Sequence, residues 1–416
     1  MPVHRVPAAE LDPMLKKIPV TDLRLGMFVH ALEGSWLDHP FWKTKFLLKD
    51  ANDIRKLRDS SIRECWIDPS AGLDVEGPAP VPTGARTVAA SAPRGVPAPS
   101  FDRELEQAAA ICRRGRTAVM QMFTEARLGN AVDPQGCLPL VEEISASVFR
   151  NPGALVSLAR LKTRDDYTYM HSVAVCALMV SLARQLDMDD DACRQAGLAG
   201  MLHDLGKAAM PEAVLNKPGK LTEDEFAIMR THPERGHEML REARGSTESV
   251  LDVCLHHHER FDGTGYPHRL AGDQISLFAR MGAVCDVYDA ITSNRPYKSG
   301  WDPSESLARM ASWKGHFDPT IFQAFVRSLG IYPTGSLVRL QSQLVAIVVE
   351  QNPGSLVLPV VKAFFSLKSQ MPVAPRRIDL AAKGVADRIV GREAVDAWAS
   401  FDLDALWSGE TAAAAR

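Results

Sequence analysis

One stretch constrains this chain more than any other. Cys254 to Lys298 reads CLHHHERFDGTGYPHRL, then a short helical spacer, then ARMGAVCDVYDAITSNRPYK. Histidines and a carboxylate stand in series, a Gly-rich polar loop follows, then an Asp-bearing helix, then a basic hook. Upstream, HDLGK from His203 to Lys207 supplies a second adjacent His–Asp pair. Imidazole and carboxylate are the donors that divalent metals take, so these segments point to a metal site built on helices.

Composition leaves room for that reading. At 416 residues the chain is long enough for two or three domains and a sizeable core. Apolar residues make up 46% and charged residues 24%, ordinary values for a soluble globular protein. The net charge of −3 argues against a nucleic-acid polymer or an anionic membrane as partner, so an anionic ligand must be met by a local cluster of cations. The opening residues lack the apolar run of a secretory signal. The longest apolar-leaning run, Val173 to Ala183, is far shorter than the roughly 20 residues a membrane span needs. Seven cysteines, odd in number and with no C-x-x-C pair, read as reduced core thiols of a cytoplasmic protein.

In chain order, residues 1–75 are expected to form a small α/β domain. Strand-forming residues run from Val20 to Val29, helical spacing from Asp50 to Arg58, and a short strand from Ile62 to Ile67. A regulatory role suits this module; His30 and His39 have no metal-ligand company there, and Trp36 and Phe41 read as packing residues. Residues 76–100, rich in Pro, Ala and Gly, form a linker. Residues 101–160 are a helical lead-in, with Asp102 as N-cap of the first helix and Gly129-Asn130 as its stop. The core, 161–330, is almost wholly helical by pattern. Residues 331–416 change character: Leu337 to Val349 and Val357 to Phe365 flank an Asn352-Pro353-Gly354 turn, a β-hairpin appended to the helices, before a mixed tail. The fold class is therefore mainly α, with a small N-terminal α/β module and a C-terminal hairpin.

A two-metal centre needs six or more imidazole or carboxylate ligands plus one bridging carboxylate, around ions roughly 3.5–4 Å apart. His171, His203, Asp204, His232, His257, His258 and Asp286 are available. Adjacent helical residues project about 100° apart, so His203 and Asp204 both reach one pocket if their helix end points into it. The imidazole then takes one ion and the carboxylate bridges two; His257 and His258 can serve one ion each. Singly, each of these signals is weak: His171 alone suits a satisfied core histidine, and His232 and His237 suit a surface. Lys207, one turn beyond His203, offers a point charge for a phosphate oxygen or a leaving group. Arg295 and Lys298 could clamp a second phosphate, or be solvated cations on a loop. Gly263 and Gly265 permit close backbone approach. Tyr266 could stack on a base, and Asp289 is placed to orient a ligand histidine.

Taken together, the ordered set H…HDxGK…HP…G…HHExxDGxGYP…DxYDAxTSxRPYK resembles the HD-GYP family of cyclic dinucleotide phosphodiesterases, in the HD superfamily of helical metal-dependent phosphohydrolases. The match is tight from about Asp165 to Lys298. The phrase IPVTDLRLGMFVHALEGSWLDHPF resembles an uncharacterised domain often fused in front of such modules. The resemblance implies hydrolysis of cyclic di-GMP to linear pGpG, in some members on to GMP, at a site of two or three iron or manganese ions, by a hydroxide bridging two of them. Three-metal members carry a Glu four residues before the first His ligand; here that position is Tyr167, so two ions are expected. Anchored on Glu259 and the DGTGYP loop, the family pattern assigns His257 and His258 as ligands and leaves His256 as the extra histidine. It makes Asp204 and Lys207 the catalytic pair, has Lys207, Tyr266, Arg295 and Lys298 meet substrate, and gives the GYP loop a docking role toward diguanylate cyclase (GGDEF) domains. Two other readings stay open: a cyclic di-GMP receptor or partner-docking module without turnover, and another HD-superfamily hydrolase acting on nucleotides. The oligomeric state is not legible.

Overall fold

The computed structural model describes residues 15–32, 46–48, 50–59, 62–69, 71–74, 101–159, 167–293, 300–352 and 354–408. The linker at 76–100, Trp36, His39 and Phe41, and the Arg295 and Lys298 hook lie outside the described residues, as do the side chains of Asp102 and Tyr167. The chain divides into two compact units, Met1–Arg94 and Gly95–Arg416.

In the first unit, β1 (Lys16–Pro19), β2 (Phe28–Leu32), β3 (Phe46–Leu47) and β4 (Glu64–Ile67) form an antiparallel sheet in the order β1-β4-β2-β3, with α1 (Ala51–Asp59) between β3 and β4. Leu23, Met27, Val29, Leu48, Leu57, Cys65 and Ile67 close its core. The strand expected over Val20 to Val29 is broken. Val20–Asp22 is a 3-10 turn, Gly26 takes a positive φ of 88° that few other residues adopt, and the extended segment starts only at Phe28.

The second unit is a helical bundle with a sheet at its C-terminal end. It opens with α2 (Phe101–Arg127), α3 (Leu138–Arg150) and α4 (Pro152–Ala159). There follow α5 (Tyr167–Gln185), α6 (Asp190–Leu202), α7 (Glu212–Leu215), α8 (Glu223–Met229), α9 (His232–Glu242), α10 (Glu248–His256), α11 (Leu277–Thr292), α12 (Pro303–Ser312) and α13 (Pro319–Leu329). α5 is the axis: Val173 to Ala183 is buried throughout, and the helix packs on α2, α4, α6, α11 and α13. It starts at Tyr167, one turn before the His171 expected from the pattern. Caps set several of the boundaries. The Asp189 carboxylate accepts from Ala192 N at 2.8 Å to start α6, and Asp302 and Asp318 each cap a helix with proline in its first turn.

The C-terminal hairpin is present as β6 (Leu344–Asn352) and β7 (Ser355–Ser366), and it is the centre of something larger. β5 (Leu337–Leu340), β8 (Met371–Asp379) and β9 (Ile389–Arg392) join it in an antiparallel sheet ordered β8-β7-β6-β5-β9, and α14 (Leu403–Ser408) follows. The mixed look of the segment after Met371 has a physical cause. β8 reads MPVAPRRID and is an edge strand, where proline and charge are tolerated because one row of backbone groups needs no partner. Trp398 and Trp407 tie the tail to the main core. No helix among the described residues is long and apolar enough to cross a membrane.

Candidate metal centre

Each candidate ligand sits where its helix begins, ends or crosses the bundle axis. His171 lies on α5. His203 is the C-cap of α6, and Asp204 leaves the helical path before the 3-10 turn Leu205–Ala209, so the helix end carries both side chains into one pocket. His232 opens α9, with Pro233 fixing that start; His257 caps α10 and His258 follows; Asp286 and Asp289 lie one turn apart on α11.

Two backbone contacts hold these pieces together. A Cβ on Gly206 would fall 1.9 Å from the His232 carbonyl oxygen and 2.5 Å from Gly236 N. One on Gly236 would fall 2.6 Å from Cys254 Sγ and 2.8 Å from Gly206 N. The turn carrying Asp204 therefore touches α9 backbone to backbone. In the DGTGYP loop, the Asp262 carboxylate accepts from Thr264 N at 3.0 Å, and Gly263 has φ of 76°. A Cβ on Gly265 would fall 2.4 Å from Arg260 N, so the loop folds back on the segment that carries His258.

The donor atoms gather into two adjoining groups. Asp204, His232, His257 and His258 bring ligand atoms within 4.8 Å of one another, and so do His171, His203 and Asp286. Asp204 stands in the first group, and its second oxygen reaches two histidines of the other. Its Oδ1 lies 3.2 Å from His232 Nε2 and 3.7 Å from His257 Nε2; its Oδ2 lies 3.3 Å from His203 Nε2 and 3.4 Å from His171 Nε2. His171 Nε2 is 3.0 Å from Asp286 Oδ1, and His258 Nδ1 is 3.7 Å from Asp286 Oδ2.

The ring tautomers follow from what the other nitrogens meet. The Nδ1 atoms of His203, His232 and His257 face carbonyl oxygens of Gly200 (2.7 Å), Met229 (2.8 Å) and Val253 (3.0 Å). A carbonyl only accepts, so each Nδ1 carries the proton and each Nε2 presents a lone pair to the pocket. His171 Nδ1 is held in the same way by the Asp289 carboxylate at 2.6 Å. His203 Nε2 and Asp204 Oδ1 are buried with no hydrogen-bond partner among the described residues. Leaving such atoms unpaired costs on the order of 1–3 kcal/mol each, and cations between the two donor groups would satisfy both.

The electrostatics suit cations as well. Burial pushes the His203, His232 and His258 imidazoles below their ordinary range, which keeps them neutral. Burial by itself would raise the Asp204 carboxyl, but the Lys207 ammonium beside it outweighs this and holds the group well below the usual carboxylate range. Asp286 is likewise held well below the usual carboxylate range against its burial, by its contact with His171. Neutral imidazoles and ionised carboxylates are the protonation states in which these groups bind metal.

His256 points elsewhere. Its Nδ1 meets Asp252 Oδ1 at 2.7 Å and its Nε2 meets His268 Nδ1 at 3.0 Å, outside both donor groups. Lys207 Nζ donates to Asp204 Oδ2. The Tyr266 ring lies 4.7 Å from that of His258, and the Arg230 guanidinium lies 4.7 Å from the Tyr266 centroid. Arg230 carries no motif signature that singles it out in the sequence. Gly206 and Gly236 were visible as motif letters, but their reciprocal contact was not.

A helical bundle that converges these donors defines a divalent-metal protein. The chain matches the model of the HD domain over residues 148–321 and that of a domain of unknown function, DUF3391, over residues 15–137. It is 56% identical over 400 residues to a cyclic di-GMP phosphodiesterase of Pseudomonas aeruginosa, covering 95% of this chain and 96% of that protein. It is 40% identical over 203 residues to the cyclic di-GMP phosphodiesterase response regulator RpfG of Xanthomonas campestris pv. campestris, covering 46% of this chain and 53% of that protein. The solved structure of a HDG"Y"P protein from Bdellovibrio bacteriovorus aligns with a TM-score of 0.45 at 15% identity, over 75% of this chain and 98% of that one. The chain belongs to the HD-GYP family of HD-domain phosphodiesterases.

Proposed function

We propose that this protein hydrolyses cyclic di-GMP to linear pGpG at a site holding two divalent ions, iron or manganese. The observation that carries the reading is the placement of Asp204, whose two oxygens face separate donor groups as a bridging carboxylate must. His171, His203 and Asp286 hold one ion in this proposal, and His232, His257 and His258 the other. When bound, such a pair supplies a nucleophilic water at neutral pH and stabilises charge on phosphoryl oxygens.

The chain's own residues do the rest. Asp289 fixes the His171 ring through Nδ1. Lys207, 22% exposed at the edge of the pocket and hydrogen-bonded to Asp204, protonates the departing 3′-oxygen. Arg295 and Lys298 position the second phosphate, turning binding into orientation, and Tyr266 helps form the entrance. In the proposed organisation, residues 161–330 are the catalytic domain, 101–160 its helical lead-in, and 331–416 an appendage. Residues 1–75 form a regulatory module joined through the linker at 76–100, and the GYP loop is the surface for a diguanylate cyclase domain.

The deciding experiment is anaerobic purification, metal analysis and product identification on cyclic di-GMP, with Asp204→Ala in parallel. Two ions per chain and pGpG are expected, both lost in the variant. Intact cyclic di-GMP after incubation with metal-loaded wild type, with binding retained, would make the protein a receptor instead.

A further inference from the structure

The buried metal pocket opens on one side. Of the seven candidate ligands, His171, His203, Asp204, His232 and His257 are almost wholly buried, whereas the His258 side chain is 22% exposed, as is that of Lys207. The Tyr266 ring lies against His258 at this opening, and the Arg230 guanidinium lies over Tyr266. The same guanidinium stands 6.0 Å from the ring of Phe226. Phe226 is 48% exposed on α8, a helix without a single buried residue.

Several cations near this site have an acidic partner. Lys207 is bound to Asp204, Arg235 to Glu238 and Lys217 to Glu225. Among the described residues no carboxylate or carbonyl is paired with the Arg230 guanidinium; its contacts are with the two aromatic rings. A guanidinium held against a ring keeps its N–H edges directed outward, and that planar fork matches two acceptors side by side. An exposed aromatic ring next to it is the kind of platform on which a base stacks regardless of its identity.

We infer that Arg230 is a specificity-determining residue that receives one guanine base of a cyclic dinucleotide at the mouth of the metal pocket, with Phe226 as stacking platform. The inference rests on the cyclic dinucleotide reading above. Guanine presents O6 and N7 as adjacent acceptors, the pair that an arginine fork takes in bidentate fashion; adenine replaces O6 with an amino donor and repels it. The chain thus selects its substrate by a base edge read outside the metal centre, while the metal donors treat every phosphodiester alike.

The test compares cyclic di-GMP with its 7-deazaguanine analogue, which lacks only the N7 acceptor. Binding is read by calorimetry and turnover by product analysis, on the full manganese-loaded chain as wild type, Arg230→Ala, Arg230→Lys and Phe226→Ala. Wild type should prefer cyclic di-GMP by roughly tenfold or more, the size expected of a hydrogen bond to a charged group. Arg230→Ala should erase that preference at unchanged metal content, and Arg230→Lys should not restore it, since lysine has no fork. Phe226→Ala should weaken both ligands by the same factor. A wild type indifferent to N7, or an Arg230→Ala variant that weakens both ligands equally, would overturn the assignment and leave Arg230 as a prop for Tyr266. Wild type that binds cyclic di-GMP without cleaving it would overturn the phosphodiesterase reading alone, with the base-edge test still read by calorimetry. Wild type that binds neither ligand would overturn both.

Discussion

Gly206→Ala tests whether backbone contact between the Asp204 turn and α9 sets the metal geometry. The added Cβ would stand 1.9 Å from the His232 carbonyl oxygen, and contacts under 3.0 Å do not persist, so the two backbones must separate by about 1.1 Å. No side chain can absorb this, because the opposing atoms are main chain. Metal–ligand distances tolerate about 0.2 Å, so His232 leaves the range of useful coordination while the His171, His203 and Asp286 donors stay in place. The expected result is a metal content falling from two ions per chain toward one. Turnover on cyclic di-GMP should fall on the order of 100-fold, the cost typical of a 1 Å misplacement.

Overpacking should also cost about 1–3 kcal/mol of stability, so a matched control is needed. Gly197→Ala provides it: its Cβ would meet Val180 Cγ2 at 2.8 Å and Val141 Cγ1 at 2.9 Å, within the same bundle but against apolar side chains remote from the donors. Elemental analysis, denaturant midpoints and turnover on both variants separate the two effects. If Gly206→Ala retains two ions and wild-type turnover, or if Gly197→Ala loses metal to the same extent, the reasoning is wrong.

Three further outcomes are expected. Asp289→Asn should loosen the His171 ring and weaken metal binding by about 10- to 100-fold, read by competition with a chelating dye; an unchanged affinity would remove Asp289 from the site. His256→Ala should keep its metal while His257→Ala and His258→Ala lose it, and equal loss in all three by elemental analysis would show that the histidine register is misread. The metal-free protein should lose stability as pH falls. The folded-state values of His203, His232 and His258 lie below the ordinary 6.5, so below that pH the unfolded chain takes up protons that the folded chain refuses. Asp204 and Asp286, also depressed, add stability that is lost only at lower pH, as each is finally protonated. Urea midpoints of the apo-protein should therefore rise from pH 4.5 to 7.5, and a flat or inverted profile would refute the buried, neutral state of the imidazoles.

Much of the site was legible because its motifs are local. His203 with Asp204, and His257 with His258, are sequence neighbours, and the rule that adjacent helical residues project about 100° apart already predicts that a helix end can deliver such a pair to one pocket. The bundle was legible for a similar reason, since apolar residues at helical spacing on α5 and α6 declare a buried face. Legibility failed where a neighbour far along the chain decides the outcome. The break at Gly26 depends on a turn, and the edge position of β8 depends on β7. The role of Arg230 depends on Tyr266 arriving beside it from a loop 36 positions away.

The amino-acid sequence by itself determined which donor atoms were available, and that the helices would carry them on buried faces. It also determined that glycine stood at positions 206, 236 and 265, where a loop or helix could approach closely. Only the tertiary structure decided that the two oxygens of Asp204 face different histidine sets, that His256 turns to Asp252 and His268, and that an arginine without carboxylate company among the described residues lies at the pocket mouth. The reason is range. Helical periodicity reports each residue's relation to its next turn, whereas coordination geometry is fixed by packing between helices whose residues lie tens of positions apart, where a displacement of an ångström separates a ligand from a bystander.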